Sequence, residues 1–301
     1  MPGRSLSRWL ATLLAAPPVI EPYPGWVLGA GEKQGIGPWV RRQLWRWLRA
    51  EFEVEWLDGL RLQLLPGNET SRAIFVTGRY EPNEFSWLDR LLQPGMVFVD
   101  VGANMGLYSL FAARKVTVSG QVLAVEPSRR EYEILEENVK SNALENVRLV
   151  KAAASDRQGT ADLLVAPLRN SGHNTLGSFG YGTAVERTEQ VPTERLDDIV
   201  QTAGLARVDV IKMDVEGAEM LALRGATETL RRFHPVLLLE VSDRTLQHQG
   251  SSSREVLDSL AREAYRFFGF NPSSGQPQPL QPRQHFDAEN IVAVAGERVP
   301  W

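Results

Sequence analysis

Acidic side chains close several apolar, β-branched runs along these 301 residues. Asp100 follows Val97-Phe98-Val99, Glu126 follows Val122-Leu123-Ala124-Val125, Asp214 follows Val210-Ile211-Lys212-Met213, and Glu240 follows Val236-Leu237-Leu238-Leu239. Asp100-Val101-Gly102-Ala103-Asn104-Met105-Gly106 then turns on two glycines into helical spacing. That is the pattern of a buried parallel strand feeding a helix through a tight loop. In an open α/β sheet a ligand lies across the carboxyl ends of the strands, so these run ends nominate a site. Asp100 is expected to face whatever sits in the crevice. A side chain at Gly102 would block a ligand from the backbone, and Gly106 lets the following helix pack on the strand. Glu126, 26 positions after Asp100, can accept hydrogen bonds from both hydroxyls of a ribose. Ser155 and Asp156, at the end of a third run, have polar atoms within reach of an adenine edge.

No arginine or lysine is expected at these strand ends, so a pyrophosphate would be poorly served. The turn reads Asp-x-Gly-x-Asn-x-Gly, which differs from the Gly-x-Gly-x-x-Gly of a dinucleotide fold and lacks the Lys-Ser/Thr pair of a P-loop. A cationic adenosine suits an acidic crevice better, and S-adenosylmethionine is a cation at its sulfur.

The elements that must position these groups alternate along the chain. Strands are expected at 96–101, 121–126, 147–153, 208–213 and 235–241, with helices at 106–115, at 128–138 and after the later strands. Ser128 with Glu131 three residues on is a capping-box pattern. This alternation requires a parallel sheet with helices on both faces. Residues 156–207 interrupt it with a strand at 159–165, a polar glycine-rich loop at 170–178, a strand near 189–191 and a helix beginning near 196. Residues 272–283 form a loop between two terminal strands. Upstream, residues 1–30 look loosely structured, and 37–52 form a basic helix with Trp39, Val40, Leu44, Trp47 and Leu48 on one side and Arg41, Arg42, Arg46 and Arg49 largely on the other. Residues 53–66 read as a hairpin around Asp58-Gly59, 72–77 as a strand and 85–92 as a short helix. The organisation expected is an N-terminal extension, 1–92, and an α/β domain, 93–301, whose 156–207 insertion shapes a second substrate's pocket.

Taken together, Asp100 to Leu110, Glu126-Pro127, Lys212-Met213-Asp214-Val215-Glu216-Gly217-Ala218-Glu219 and the upstream Gly78-Arg79-Tyr80-Glu81-Pro82 resemble the FkbM family of S-adenosylmethionine-dependent methyltransferases over roughly residues 75–245. The resemblance implies a class I methyltransferase fold, Rossmann-like, with a seven-stranded, mostly parallel sheet whose last strand is antiparallel. It also implies O-methylation of a sugar, glycan or secondary-metabolite hydroxyl. It places Asp100 and Gly102 beside the methionine portion of the cofactor, Glu126 on the ribose, Ser155 and Asp156 beside the adenine, and Glu81 over the cofactor from the N-terminal side. Asn104 stands where many methyltransferases have glycine; its amide either turns to the cofactor or caps the next helix. An alkyl hydroxyl is a poor nucleophile, so a general base helps. Asp214 is the first candidate, with Glu216, Glu240 and His173 as alternatives. Glu216 and Glu219 in the first turn of a helix would also stabilise its dipole. Asp214, Glu240 and Asp243 carry oxygens of the kind magnesium prefers, but no spacing demands an ion, and none is expected.

Composition bounds the remaining readings. With 43% hydrophobic and 23% charged residues the chain is an ordinary globular one, and its net charge of −4 provides no whole-molecule attraction for nucleic acid. Zero cysteines exclude disulfides and thiolate chemistry and fit a cytoplasmic location. Arg4 to Ala16 weakly resembles a signal peptide with a short apolar core, against a plain N-terminal helix. No run is long enough to span a membrane, although the 39–49 helix offers a peripheral contact. The rival readings are a nicotinamide-dependent dehydrogenase, and a non-catalytic docking protein on a methyltransferase fold.

Overall fold

The computed structural model describes residues 11–23, 35–180 and 182–296, so residues 4–10 of the leader-like stretch lie outside the described residues. The N-terminal elements are helix α1 (Ile36–Trp45), the hairpin β1 (Phe52–Trp56) and β2 (Leu60–Leu64), and helices α2 (Glu69–Thr77) and α3 (Pro82–Leu91). Asp58 and Gly59 both take positive φ, 54° and 72°, in the three-residue loop Leu57–Gly59 that joins the strands. Phe52 pairs with Leu64 and Trp56 with Leu60.

Two expectations fail here. The 72–77 stretch is helical. Asn68 caps it, its Oδ1 accepting from Ser71 N–H at 2.8 Å, and Gly78 ends it in the left-handed conformation. Ala73-Ile74-Phe75-Val76 is buried on every side, and a short apolar run buried all round has no period to separate strand from helix. Helix α1 also ends earlier than expected, because the N–H groups of Arg46 and Trp47 turn back to Gln43 and Leu44. Its inward residue is Trp45, packed on Phe52 and Phe75 with ring centroids 6.4 and 5.5 Å away, while Trp39 and Trp47 are exposed.

Downstream the chain alternates as expected: β3 (Val97–Val101), α4 (Leu107–Val116), β4 (Gln121–Val125), α5 (Arg129–Ser141) and β5 (Val147–Val150). The excursion supplies β6 (Ala153–Ala154), β7 (Gly159–Val165), β8 (Arg187–Glu194) and α6 (Leu196–Thr202). Then follow β9 (Val210–Met213), α7 (Glu219–Arg224), α8 (Thr227–Phe233), β10 (Val236–Val241), α9 (Asp243–His248), α10 (Ser253–Arg262), β11 (Tyr265–Phe270), β12 (Pro277–Pro279) and β13 (Glu289–Ala295). The main sheet runs β12-β11-β13-β10-β9-β3-β4-β5. It has eight strands, one more than the seven expected, because the three-residue β12 pairs onto the edge from within the 272–283 loop. Strands β5, β4, β3, β9 and β10 are mutually parallel, and β13 inserts antiparallel between β10 and β11. The 147–153 run divides: β5 ends at Val150, and β6 joins β8 and β7 in a separate three-stranded sheet.

Strand side chains alternate between faces, and the two cores follow that parity. Phe98, Val122, Ala124, Val210 and Leu238 face α4, α5 and the N-terminal elements. Val99, Val101, Leu123, Ile211 and Leu239 face the helices of the C-terminal half. Aromatic rings bind the N-terminal elements to the first face, Trp56 edge-on to Phe85 at 5.0 Å and Phe85 stacked on Tyr108 at 4.5 Å. Asp100, Lys212 and Glu240 share this face's parity.

Asn68 also ties α2 to the excursion, its Nδ2 donating to Leu168 O and Ser171 Oγ. Asn68→Ala is expected to destabilise the protein by about 1–3 kcal/mol, since a helix cap and buried bonds are lost together. Urea unfolding should show a lower midpoint at unchanged slope; an unchanged midpoint would show that the cap is dispensable.

Candidate active site

The carboxyl ends of β3, β4, β9 and β10 converge on two adjoining cavities. A narrow slot of about 50 Å³ lies between Gly102, Glu126, Ala152 to Ala154 and Val215. A wide cleft of about 520 Å³ continues from it past Tyr80, Glu81, Glu84, Tyr108, His173 and Glu240. Asn104, Gly172, Asp214 and Glu216 line both.

The turn after β3 is shaped by its neighbours. Gly102 has φ +78°, and a Cβ there would stand 1.9 Å from the carbonyl oxygen of Asp214. A Cβ on Gly106, φ +92°, would meet Leu135 Cδ1 of α5 at 2.4 Å. Both glycines therefore serve protein packing first: Gly102 admits the chain leaving β9, and Gly106 admits α5 rather than only its own helix. Asn104, φ +50°, donates its N–H to Glu126 Oε2 at 2.8 Å, while its side chain accepts from Met105 N–H and donates to Ser171 O. Glu126 Oε1 accepts from Ser128 N–H at 2.9 Å. The 126–128 turn thus departs from the capping box: Ser128 Oγ donates to the Glu131 carboxylate, and no side chain caps α5.

Asp100 does not face the cavity. Its parity turns it beneath α4, where it is fully buried, Oδ2 accepting from Ser109 Oγ at 2.6 Å and Oδ1 left without a hydrogen bond. Its register partner on β9 is Lys212. The expectation that these strand ends lack a cation is corrected by that lysine. Its Nζ donates to Gly102 O at 3.1 Å and to Asp214 Oδ2 at 3.3 Å, lies 3.8 Å from Asp100 Oδ1, and sits 5.2 Å from the Tyr108 ring centroid. Burial would push the ammonium down, but Asp214, Asp100 and Glu81 together hold it above its ordinary value. Read along the sequence, Lys212 is one polar residue inside an apolar strand; its signal is that it shares parity with Asp100.

The carboxylates around it are crowded. Glu81, strained at φ 38° and ψ 57° before Pro82, accepts from the Tyr108 hydroxyl. Burial and then Glu84 raise its carboxyl to about 8. Burial, then Asp214 and Glu219, push Glu216 well above the usual range; burial, then Asp214 and Glu216, do the same to Glu240. Glu216 is not in a helix: it holds a left-handed turn, φ 50°, ahead of α7, and its carbonyl accepts from Thr175 Oγ1. Glu219 folds that turn by accepting from Val215 and Gly217 N–H groups. Asp214, Glu216 and Glu240 offer oxygens within 4.8 Å of one another. Asp243 is not among them, being bonded to Ser253 and Phe286. His173 lines the wide cleft beside Thr183 at 3.1 Å, and burial lowers its pKa. Ser155 and Asp156 lie outside the slot's walls. The chain turns into β6 there, so Ala152, Ala153 and Ala154 supply that wall, and Ser155 bonds Glu194 and Asp156 instead.

The slot sets the apolar side chains of Ala152 to Ala154, Leu163, Leu176 and Val215 beside the carboxyl group of Glu126, a combination that suits a flat heterocycle carrying a diol, and the acidic junction at Asp214 and Glu216 suits a cation. The family model for the methyltransferase FkbM domain matches residues 100–267. Methyltransferase sdnD of Sordaria araneosa is 34% identical over 157 residues, covering 43% of this chain and 60% of that protein. The 2-O-methyltransferase NoeI of Sinorhizobium fredii is 31% identical over 186 residues, covering 56% and 73%. The match thus spans less than two thirds of the first relative's length. A solved structure of methyltransferase FkbM from Methylobacillus flagellatus KT, 15% identical, covers 75% of this chain and 54% of its own with a TM-score of 0.42.

Burial and then Glu131 raise the Glu126 carboxyl from 4.5 to about 8. Between these values the folded protein retains a proton that the unfolded chain has lost, so stability falls as pH rises through this window. Glu126→Gln should flatten the decline by up to about 1.4 kcal/mol per pH unit. Urea unfolding from about pH 5 to about pH 8 checks this; identical slopes in both proteins would contradict it.

Proposed function

The chain belongs to the FkbM methyltransferase family, whose cofactor is S-adenosylmethionine, and we propose that it methylates a hydroxyl of a sugar, glycan or other secondary metabolite. The observation that carries this reading is the junction: a narrow slot beside Glu126, walled by Ala152 to Ala154, and a wide cleft lined by carboxyl groups meet at Asp214. NoeI is by name a 2-O-methyltransferase, which supports oxygen as the acceptor atom.

In this reading Glu126 holds the ribose, Ala152 to Ala154 flank the adenine, and Gly102 and Asn104 border the rest of the cofactor. Asp100 acts at one remove, through Lys212. Held by those residues, S-adenosylmethionine would supply a methyl group activated by its sulfonium, with a neutral thioether as the leaving group. The chain's own residues must then align the acceptor oxygen with that methyl carbon, which can contribute roughly 7–11 kcal/mol. As the O–C bond forms and the C–S bond breaks, Asp214 takes the hydroxyl proton. Lys212 holds Asp214 by one carboxylate oxygen, fixing its orientation. Glu216, Glu240 and His173 stand around the same cleft as secondary candidates. Loop 168–176, bolted down by Asn68, Asn104 and Glu216, closes its opposite wall.

Calorimetric titration should give heat with S-adenosylmethionine and none with NAD; no heat with the former would end this reading. Asp214→Asn is expected to bind the cofactor within about threefold of wild type and to slow single-turnover transfer of labelled methyl by roughly 10²–10⁴-fold. A rate that survives the substitution would remove Asp214 from the role of base.

A further inference from the structure

The wide cleft carries more carboxyl groups than its own cations and a bound cofactor pair with, and we propose that the methyl acceptor is itself a cation, a polyhydroxylated amine such as an amino sugar or aminocyclitol. This rests on the methyltransfer reading and narrows its substrate class.

Glu81, Glu84, Asp214, Glu216 and Glu240 all line the cleft. Its cations are already engaged. Lys212 is held by Gly102, Asp214 and Asp100, and Arg169 is bound to Glu69 at 2.8 Å. Burial lowers His173, which keeps it neutral. Among the described residues, Glu84, Glu216 and Glu240 have no ion-pair partner. The cofactor brings a sulfonium, an ammonium and a carboxylate, one net positive charge, and it meets Asp214 at the junction.

Glu84 provides an independent pointer. It is 8% exposed, Oε1 accepts from Asn290 Nδ2 at 3.2 Å, and Oε2 is buried with no hydrogen-bond partner. Asn290 is the register partner of Glu240 across β10 and β13, and directly opposed residues share a face of the sheet. Glu84 is thus tied through Asn290 to the strand position opposite Glu240, and both carboxyl groups line the cleft. Burial raises Glu84, and burial with neighbouring carboxylates raises Glu240; an adjacent ammonium group opposes both shifts, because an opposite charge favours the ionised carboxyl. A uronate or phosphate would meet only cations already engaged by the protein's own carboxylates, and a buried charge is tolerated only when paired. A neutral polyol would fill hydrogen bonds but leave the surplus carboxyl groups without a cation.

The test is binding, read by NMR, of matched sugars and cyclitols, each as free amine, N-acetyl derivative and carboxylate, to protein saturated with S-adenosylhomocysteine. Free amines are expected to bind at least about tenfold more tightly than their N-acetyl counterparts, the scale of one charge-assisted contact. Glu84→Gln, which retains the Asn290 bond, should shrink that preference at least about threefold and leave S-adenosylhomocysteine affinity within twofold. Equal or tighter binding of the N-acetyl or carboxylate forms, or no amine binding while S-adenosylhomocysteine binds, would overturn the proposal. Failure of S-adenosylhomocysteine to bind would count against the methyltransfer reading instead, and the amine ranking in cofactor-free protein would still decide the acceptor's charge.

Discussion

The ammonium of Lys212 is the point on which the site depends. It is buried, in register with Asp100, and hydrogen-bonded both to the carbonyl of Gly102 and to the carboxylate of Asp214. One cation thus joins the loop after β3 to the chain leaving β9, the two segments that form the junction of slot and cleft. A buried charge persists only where opposite charges and hydrogen bonds replace water. Asp100 supplies the charge, Ser109 holds Asp100, and the Tyr108 ring covers the ammonium. The N-terminal elements enter the same chain of contacts, because Phe85 stacks on Tyr108 and Tyr108 donates to Glu81.

The surplus of carboxylates around that lysine explains much of the site's character. The pKa values of Glu81, Glu216 and Glu240 move upward because burial disfavours charge and neighbouring carboxylates raise them further. A cationic ligand reverses both effects at once. The site is therefore tuned against anions and toward positively charged partners, and a sulfonium cofactor fits that bias without a dedicated counter-ion.

Much of this was legible in the sequence because it follows local rules. The β-branched runs, the glycine turn and the acidic residue closing β4 identify strand ends and hence the crevice, and helices do cover both faces of the sheet. What was not legible needed knowledge of neighbours. Asp100 reads as an exposed strand end, yet parity turns it under α4 to meet Lys212. The two glycines read as ligand clearance and close helix packing, yet the atoms a side chain would strike are Asp214 O and Leu135. Ser155 and Asp156 read as an adenine edge, but the chain bends into a second sheet two residues earlier. The 72–77 helix is set by Asn68, a cap outside the run that looked like a strand. The surplus of carboxyl groups in the cleft emerges only once the ends of β9 and β10 and helix α3 are brought together.

Photolabelling with an azido-adenine analogue of S-adenosylmethionine, followed by mass-spectrometric mapping of the adduct, most directly tests where the cofactor lies. Adducts are expected on the peptide containing Ala152, Ala153 and Ala154, or on loop 168–176 across the slot, and unlabelled S-adenosylmethionine should compete them away. Competed labelling confined to a surface remote from Gly102 and Glu126 would contradict the placement of the cofactor at the β3–β4 strand ends.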